Sequence, residues 1–532
     1  MHWVDVVAEE LLKKGKKHKI ASGTSISGSI HIGNAGDVII AHAIARAITE
    51  KGGSANCIWI MDDVDALRSI PQPIPKEFDK YLGIPVSSLP CPFNCCSSFV
   101  EHFTKPFIKA LAGLGIKPEI YSDLELYKKG IYLPYTKIAI EKSKELIKIL
   151  KEVSGAQKPL GWLPFEPICE KCGKIATTHA YQVDGENILY KCVGGIAGRK
   201  KIIGCNYEGA SSLRNGKLPW RIEWAARWKF LNITCEPLGK EHSAAGGSYD
   251  TAKLIAKEIY CYEPPYPVFY EHIMVDGKKM SKSLGNIITT EQMLECVEPQ
   301  VIKYLFFRTK PTKHKDIDMN YSLLRLAEDY ERTERIYYGI EKYALEKEIS
   351  DIKRSYELAQ LGKPAEKFCQ LEYSHLVILV QLAKDFPSLL AILNRLGIKP
   401  DREFERMLED KYKRAINWLG KYAPEQFKFE VKETLPLVDL SRSQKEFLRK
   451  FAEELKIVEF TPIQIHNKIH ELSKELGIEP KRSFEALYKI LLNREEGPRL
   501  GYLLASLGRE FVLKRIEEAI EKLREQSKIF KK

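Results

Sequence analysis

The sequence predicts an α/β domain built on a parallel sheet, followed by an all-α C-terminal domain, and three observations predict it. A buried-strand pattern, a glycine-rich turn, an apolar helix and a second buried strand follow one another between residues 17 and 62, which is how a parallel sheet begins. Two later stretches, 71–98 and 155–220, are rich in Pro, Cys and small residues and read as loop-rich insertions into that sheet. From about residue 323 onward the apolar spacing is helical almost throughout, with heavy Lys and Glu content.

KHKIASG (17–23) is the first strand, and NAGDVIIAHAIARAITEKGG is a helix closed by Gly52 and Gly53. NCIWIM is the second strand and runs into Asp62-Asp63-Val64-Asp65. The insertions have little apolar content for cores of their own, so a bound metal would supply stability they lack. Further on come the strand-like YPVFYEHIMV (266–275), an Asp276-Gly277 turn, KKMSKSLGN, and a helix that Thr289 caps with Gln292 as reciprocal partner. A chain of 532 residues is too long for one core. The expected division is 1–295 for the α/β domain with insertions within about 85–215, a connecting segment over 296–330, and a helical domain over 331–532.

Composition is that of a soluble globular chain, with 44% hydrophobic and 29% charged residues and no apolar run of membrane-spanning length. The opening MHWVDVVAEELLKKGKK lacks the apolar segment and cleavage site of a secretory signal, which makes the cytoplasm the expected compartment and a membrane partner unexpected. A net charge of +12 suits a polyanionic partner. Oligomeric state is not readable, with a monomer slightly favoured. Of 12 cysteines, seven fall in two clusters, which in a cytosolic chain read as metal ligands rather than disulfides.

Three segments carry nucleotide chemistry. In ISGSIHIGNAG (26–36), Gly28 and Gly33 let a ligand approach the backbone, and the helix dipole from Asn34 onward favours a phosphate. His31 would donate to a phosphate oxygen with the Asn34 amide beside it; a turn histidine satisfied by backbone is the plainer alternative. In KKMSKSLGN (278–286), Lys279 and Lys282 offer mobile charges for a polyphosphate leaving group, around Met280 and Ser281, although a solvated basic turn would look the same. In Gly239-Lys240-Glu241-His242, a carboxylate can accept from ribose hydroxyls, a weak signal alone.

The first two segments, about 250 residues apart and each at a strand end, resemble the HIGH and KMSKS signatures of class I aminoacyl-tRNA synthetases, here as His31-Ile32-Gly33-Asn34 and Lys279-Met280-Ser281-Lys282-Ser283. Ser25 stands where the family pattern usually has proline. Within the class, SGTSISGSIHIGNAGD, WIMDDVDALR, LPWRIEWAARW and GPRLGYLLASLGRE most resemble the class I lysyl-tRNA synthetases, over most of the chain. The resemblance implies a Rossmann-type catalytic domain, an α-helical anticodon-binding domain, and a lysine-tRNA ligase using ATP, Mg2+, lysine and tRNA(Lys), with the 2′-hydroxyl of the terminal adenosine as acceptor. It also implies His31, Asn34, Lys279 and Lys282 in catalysis, and Gly33, Gly239, Glu241, His242, Met280 and Ser281 around ATP. Glutamyl and arginyl synthetases and a non-ligating tRNA-binding paralogue are the alternatives.

A lysine ammonium needs a carboxylate in a pocket with an aromatic or apolar wall. Asp62, Asp63, Asp65, Glu223 beside Trp220 and Trp224, and Glu271 beside Tyr270 offer one, with Asp63, Trp220, Tyr270, Glu271, Gly23 and Ser25 as the expected substrate contacts. For any single one of them an ordinary surface acid or core aromatic is the commoner use. Cys169-x2-Cys172 with Cys192 and Cys205 has knuckle spacing for a structural Zn2+, against scattered thiols. Cys91, Cys95, Cys96 and His102 would make a second Zn2+ site or a group of buried thiols. Neither leaves the open position of a catalytic zinc. His466 and His470 bracket Asn467 where a metalloprotease needs glutamate, so that stretch reads as an ordinary helix face. For stacking unpaired tRNA bases, Trp418, Tyr422, Phe427 and Phe429 stand among Lys411, Arg414 and Lys421, and Tyr502 beside Arg494 and Arg499, although helical core is their commoner use.

Overall fold

The computed structural model describes residues 1–280, 285–366, 369 and 371–529, with 347 and 523–529 as backbone only. It divides into two compact units: Met1–Leu294 with Pro299–Asp318 and Thr333–Lys363, and Glu295–Glu298 with Met319–Arg332 and Pro364–Lys532.

The first unit is built on a five-stranded sheet of β1 (Lys17–Ser25), β2 (Ser54–Asp62), β3 (Glu119–Ser122), β4 (Cys235–Gly239) and β5 (Tyr266–Tyr270). The spatial order is β5-β4-β1-β2-β3 and every pairing is parallel. The order therefore reverses between β1 and β4, the switch point at which doubly wound sheets leave a crevice beyond their carboxyl ends. Register aligns Ser25 with Asp62 and Gly239 with Tyr270, so four of the strands end along one line.

Helix α1 (Trp3–Lys14) precedes β1, and α2 (Ile32–Glu50) crosses from β1 to β2. α2 is rich in Ala and Ile and buried on most of its circumference. Its Gly36 admits the Phe306 ring of α4 (Pro299–Phe307), which a Cβ would meet at 2.5 Å. Between β3 and β4, α3 (Trp220–Leu231) carries the Trp-rich segment to the sheet. The cysteine-bearing region from 166 to 217 forms small antiparallel sheets of its own, none joined to the main sheet. The expected insertion window of 85–215 is interrupted by β3, whose four short residues carry too little pattern to be read as a strand.

The expected boundary at 330/331 also differs from the observed division. Helix α5 (Glu346–Ala359) belongs to the first unit, where Arg354 pairs with Asp5 at 2.9 Å and Glu50 at 2.6 Å, and Ser355 donates to the Phe307 carbonyl. Buried Lys303 donates to the Gln360 carbonyl just beyond it. Helical period marks α5 as a helix but cannot say which core its face meets.

The second unit is helical, with a core of Phe447, Leu448, Phe451, Ile465, Ile469, Leu487 and Leu491 among others. Asp401, Ser441 and Thr461 cap its helices as side-chain acceptors. Among the described residues no single helix is long and apolar enough to cross a membrane.

Candidate active site and cysteine clusters

Two cavities meet at the carboxyl edge of the sheet and share Tyr270 as a wall. The first is lined by His31, Gly33, Asn34, Glu241, Glu271, His272, Lys279, Met280 and Lys315, among others. His31 is the N-cap of α2, and its N–H meets the Asn34 side-chain oxygen at 3.4 Å. Ile32 donates to the Ile288 carbonyl at 2.8 Å and His31 bridges to Thr289, which ties the first signature to the chain just beyond the second. A Cβ on Gly33 would stand 2.9 Å from the His31 ring, and one on Gly239 would stand 2.5 Å from the Glu241 carboxylate. Only glycine lets those side chains fold back over their own loops.

Lys279 Nζ lies 3.0 Å from His272 Nε2, and that nitrogen lies 3.4 Å from Glu241. Burial and the neighbouring lysines hold the His272 pKa down, so the imidazole stays neutral and can accept from the ammonium. Lys315 is buried in the same wall, and burial lowers its pKa to about 8. His272 and Lys315 were not among the expected residues. Ser281 and Lys282 lie outside the described residues.

The second cavity is lined by Gly23, Ser25, Trp220, Trp224, Gly239 and His242, five carboxyls (Asp37, Asp62, Asp65, Glu223, Glu236) and three cations (Arg68, Lys217, Arg227). Most of this charge is internally paired. Lys217 Nζ sits 2.6 Å from Asp65 and 2.9 Å from Glu223, and Arg227 sits 2.7 Å from both Asp62 and Asp123. The group Asp62, Asp123 and Glu223 has the closeness of a metal site, but the Arg227 guanidinium already engages it. Among the described residues Asp37 and Glu236 have no cationic partner in any ion pair. Burial pushes Asp37 well above the carboxylate range, the Tyr270 hydroxyl bonds to it, and its Oδ1 is buried with no hydrogen-bond partner. Glu236 accepts from the Trp224 and Trp228 indoles, and burial raises its pKa to about 7. Trp220 stacks on Trp224 at 4.7 Å, with the His242 ring 5.5 Å from each.

Three expectations change place. Asp63 accepts from Ser122 Oγ at 2.6 Å and Leu124 N–H at 2.9 Å, and so anchors the chain after β3 instead of facing the cavity. Asp62, the last residue of β2, and Asp65, in the turn beyond it, line the cavity in its stead. Glu271 lies in the first cavity, paired with Lys240 at 2.7 Å, away from the Trp-lined one. His242 lies against the tryptophans, whereas Glu241 faces the first cavity. Asp37 was missed; its signal was a single acid inside the apolar run IGNAGDVIIA.

The four thiols of Cys169, Cys172, Cys192 and Cys205 converge, with Cys169–Cys205 at 3.6 Å and Cys172–Cys192 at 3.7 Å. Thiolates around a tetrahedral zinc lie about 3.8 Å apart, so the donor set fits that ion. Cys91, Cys95, Cys96 and His102 also converge, with Cys91–Cys95 at 3.6 Å and Cys95 to His102 Nδ1 at 3.2 Å. In the second unit, Trp418 and Phe429 are core and Lys411 is buried against Glu331. Phe427 and Arg499 instead line a groove with Tyr321, Arg325 and Ser374. The Arg325 guanidinium lies over the Tyr321 ring, and Ser374 Oγ is buried with no hydrogen-bond partner.

Comparison with known proteins accords with this geometry. Residues 1–362 match the family model described as tRNA synthetases class I (K), and 422–520 match an anticodon binding domain. A lysine-tRNA ligase of Methanosphaera stadtmanae is 41% identical, over 97% of this chain and 98% of the relative. One from Archaeoglobus fulgidus is 40% identical, over 98% and 100%. Among solved structures, a glutamate tRNA ligase from Elizabethkingia meningosepticum matches at 14% identity and a TM-score of 0.37, over 95% of this chain and 99% of that one. A family model spanning most of the chain and near-full-length relatives at this identity place it: the chain belongs to the class I lysyl-tRNA synthetases.

Proposed function

We propose that the chain activates lysine with ATP and esterifies it to the 3′-terminal adenosine of tRNA(Lys) in the cytoplasm. The observation that carries lysine is the charge balance of the Trp-lined cavity, where Lys217 and Arg227 are engaged by Asp62, Asp65, Asp123 and Glu223 while Asp37 keeps an unpartnered oxygen. A glutamate substrate would need a guanidinium free of acids; Arg227 is taken by Asp62 and Asp123, and the charge of Arg68, on the same wall, acts on Asp65. An arginine substrate would favour two parallel acceptors, whereas Asp37 has one oxygen left beside the Tyr270 hydroxyl, which suits an ammonium. Trp220 and Tyr270 wall the aliphatic stem, and Gly23 and Ser25 leave room at the end of β1.

The lysine carboxylate attacks the α-phosphorus of ATP and the bond to pyrophosphate breaks. The 2′-hydroxyl of the terminal adenosine then attacks the lysyl carbonyl, and AMP leaves. No enzyme nucleophile is needed, because positioning and charge stabilisation supply the acceleration. His31 and Asn34 steady the phosphates, Glu241 accepts from ribose, and Lys279 with Lys282 neutralises charge on the departing pyrophosphate. Mg2+ enters on the polyphosphate as part of that substrate. Both cysteine clusters hold Zn2+ as structural clamps, and the groove of Tyr321, Arg325, Phe427 and Ser374 takes an unstacked tRNA base.

The test is aminoacylation of total tRNA with each of the twenty amino acids, ATP and Mg2+ present. Charging with lysine alone is expected. Charging with glutamate or arginine would overturn the substrate, and no charging would return the chain to a tRNA-binding role.

A further inference from the structure

Lys315 is a buried cation without an anion. It is 5% exposed, and among the described residues no carboxylate lies within ion-pair distance of its ammonium. Its hydrogen bonds go to the carbonyls of Lys310 at 3.5 Å and Lys313 at 3.4 Å, the outer limit for such a bond. Glu271, whose charge acts on it across the same wall, is held by Lys240 at 2.7 Å and by His314 at 3.5 Å. Burying an ammonium costs stability unless an acid meets it, and a methionine would fill the space at no such cost. With its pKa at about 8, the group still carries its charge at neutral pH.

The fold sets this charge in the wall of the first cavity. Lys315–Asp316 is a short strand parallel to Ile273–Val275, with Lys315 opposite Ile273, and both residues line that cavity. Ile273–Val275 turns back through Asp276-Gly277 into Lys278–Lys279. The residue after Lys315, Asp316, accepts from the Gly277 N–H at 2.8 Å, and Ile317 donates to the Met274 carbonyl at 3.0 Å. The strand that carries Lys315 therefore braces the hairpin that carries Lys279. The two lysines differ in their setting: Lys279 is exposed on the edge hairpin, whereas Lys315 is packed into the wall and held before any ligand arrives.

We propose that Lys315 is a fixed anchor for the ATP polyphosphate, meeting it in the ground state, while Lys279 acts as pyrophosphate leaves. The inference rests on the reading of the first cavity as the ATP site proposed above. A polyphosphate supplies the anion that the folded chain leaves out. In a buried wall one charge-assisted hydrogen bond to a phosphate oxygen is worth more than at the surface. A group that binds ATP and the transition state alike lowers KM without raising the maximal rate, which is the opposite signature to that of a leaving-group cation.

The test is ATP–pyrophosphate exchange by the full-length protein and its Lys315→Met variant, with lysine and tRNA present and adenosine as a competing inhibitor. The variant should raise KM for ATP about 30-fold, keep the maximal rate within about threefold, and leave the adenosine inhibition constant within about twofold. Adenosine has no phosphate, so it reads the shape of the site without the charge. Removing an unpaired buried cation should also raise the melting midpoint by about 1–2 °C, where loss of a structural lysine would lower it. Lys315→Gln, similar in length and uncharged, carries the same kinetic expectation should the methionine variant fail to fold. An unchanged KM for ATP would overturn the proposal, and so would equal loss for ATP and adenosine, the mark of a structural lysine. A fall in maximal rate at constant KM would overturn it too, by giving Lys315 the leaving-group role. A wild type that exchanges no pyrophosphate and binds neither ATP nor adenosine would overturn the ATP-site reading itself, an outcome distinct from a wild type that binds both and a variant that matches it.

Discussion

The two cavities at the carboxyl edge of the sheet are built in opposite ways. The first is assembled from contiguous segments, 31–34, 239–241 and 279–280, in which glycines let side chains lie back over their own backbone and a helix N-terminus supplies the field. The second is assembled from single residues on β1, α2, β2, α3 and β4, many of them charges that neutralise one another in the interior. A nucleotide is the same ligand in every ATP-using protein and can be held by local backbone devices. An amino acid has to be told from nineteen others, and in the function proposed above that discrimination rests on which buried carboxyl is left without a cation.

That contrast breaks most visibly at Asp37. Asp37→Asn keeps an acceptor oxygen but cannot ionise to pair the substrate ammonium, and kcat/KM for lysine should fall roughly 1,000-fold, about 4 kcal/mol, with KM for ATP little changed. Steady-state charging at varied lysine and ATP measures both, and a loss confined to ATP would place Asp37 on the nucleotide side. The counterpart is Lys279→Ala. It should slow adenylate formation on the order of 100-fold, about 3 kcal/mol, while lysine still binds, because its charge matters only as pyrophosphate departs. A quench-flow measurement of adenylate with tRNA present separates this from weakened binding. Equal loss in ground-state affinity and rate would make the loop a binding element only.

The same contrast explains what the sequence disclosed. The parallel sheet was legible from β1, α2 and β2 because strand and helix periods alternate cleanly there, and much of the first cavity's lining was legible because its residues sit together in motif segments. β3 went unread because four residues between helices carry no period. One cysteine cluster carries a Cys-x2-Cys pair and the other a Cys-x3-Cys-Cys run open to a buried-thiol reading, and the ligand atoms converge in both. Asp62, Asp63 and Asp65 look alike in sequence because β2 ends at Asp62, and no period says where the acids of the following turn face. The partnering of Lys217 with Asp65, 152 positions apart, and of Arg227 with Asp62, 165 apart, leaves no mark on local sequence. Asp37 was readable in principle, since an acid in an apolar helix is costly unless a cation or proton meets it.

Glu236 sharpens the comparison with the smallest effect. It lies behind the amino-acid cavity, fully buried, and the two indole N–H groups that reach it do not offset the desolvation of its charge. Its pKa stands at about 7 in the folded chain against an ordinary 4.5. A carboxyl whose pKa is raised by folding favours the folded state while it is protonated in both states. That contribution is complete below about pH 4.5 and is lost as pH rises through about 7. Between pH 5 and 7 the loss is about 2 kcal/mol. Glu236→Gln keeps the shape and cannot ionise, so denaturant unfolding across that window should show the wild type losing about 2 kcal/mol relative to the variant, most of it before pH 7. Parallel pH profiles would mean that the indoles hold a carboxylate, and the cavity would then carry one more fixed negative charge toward its substrate. A converging pair of profiles would instead leave Asp37 as the acid that ionises when lysine enters.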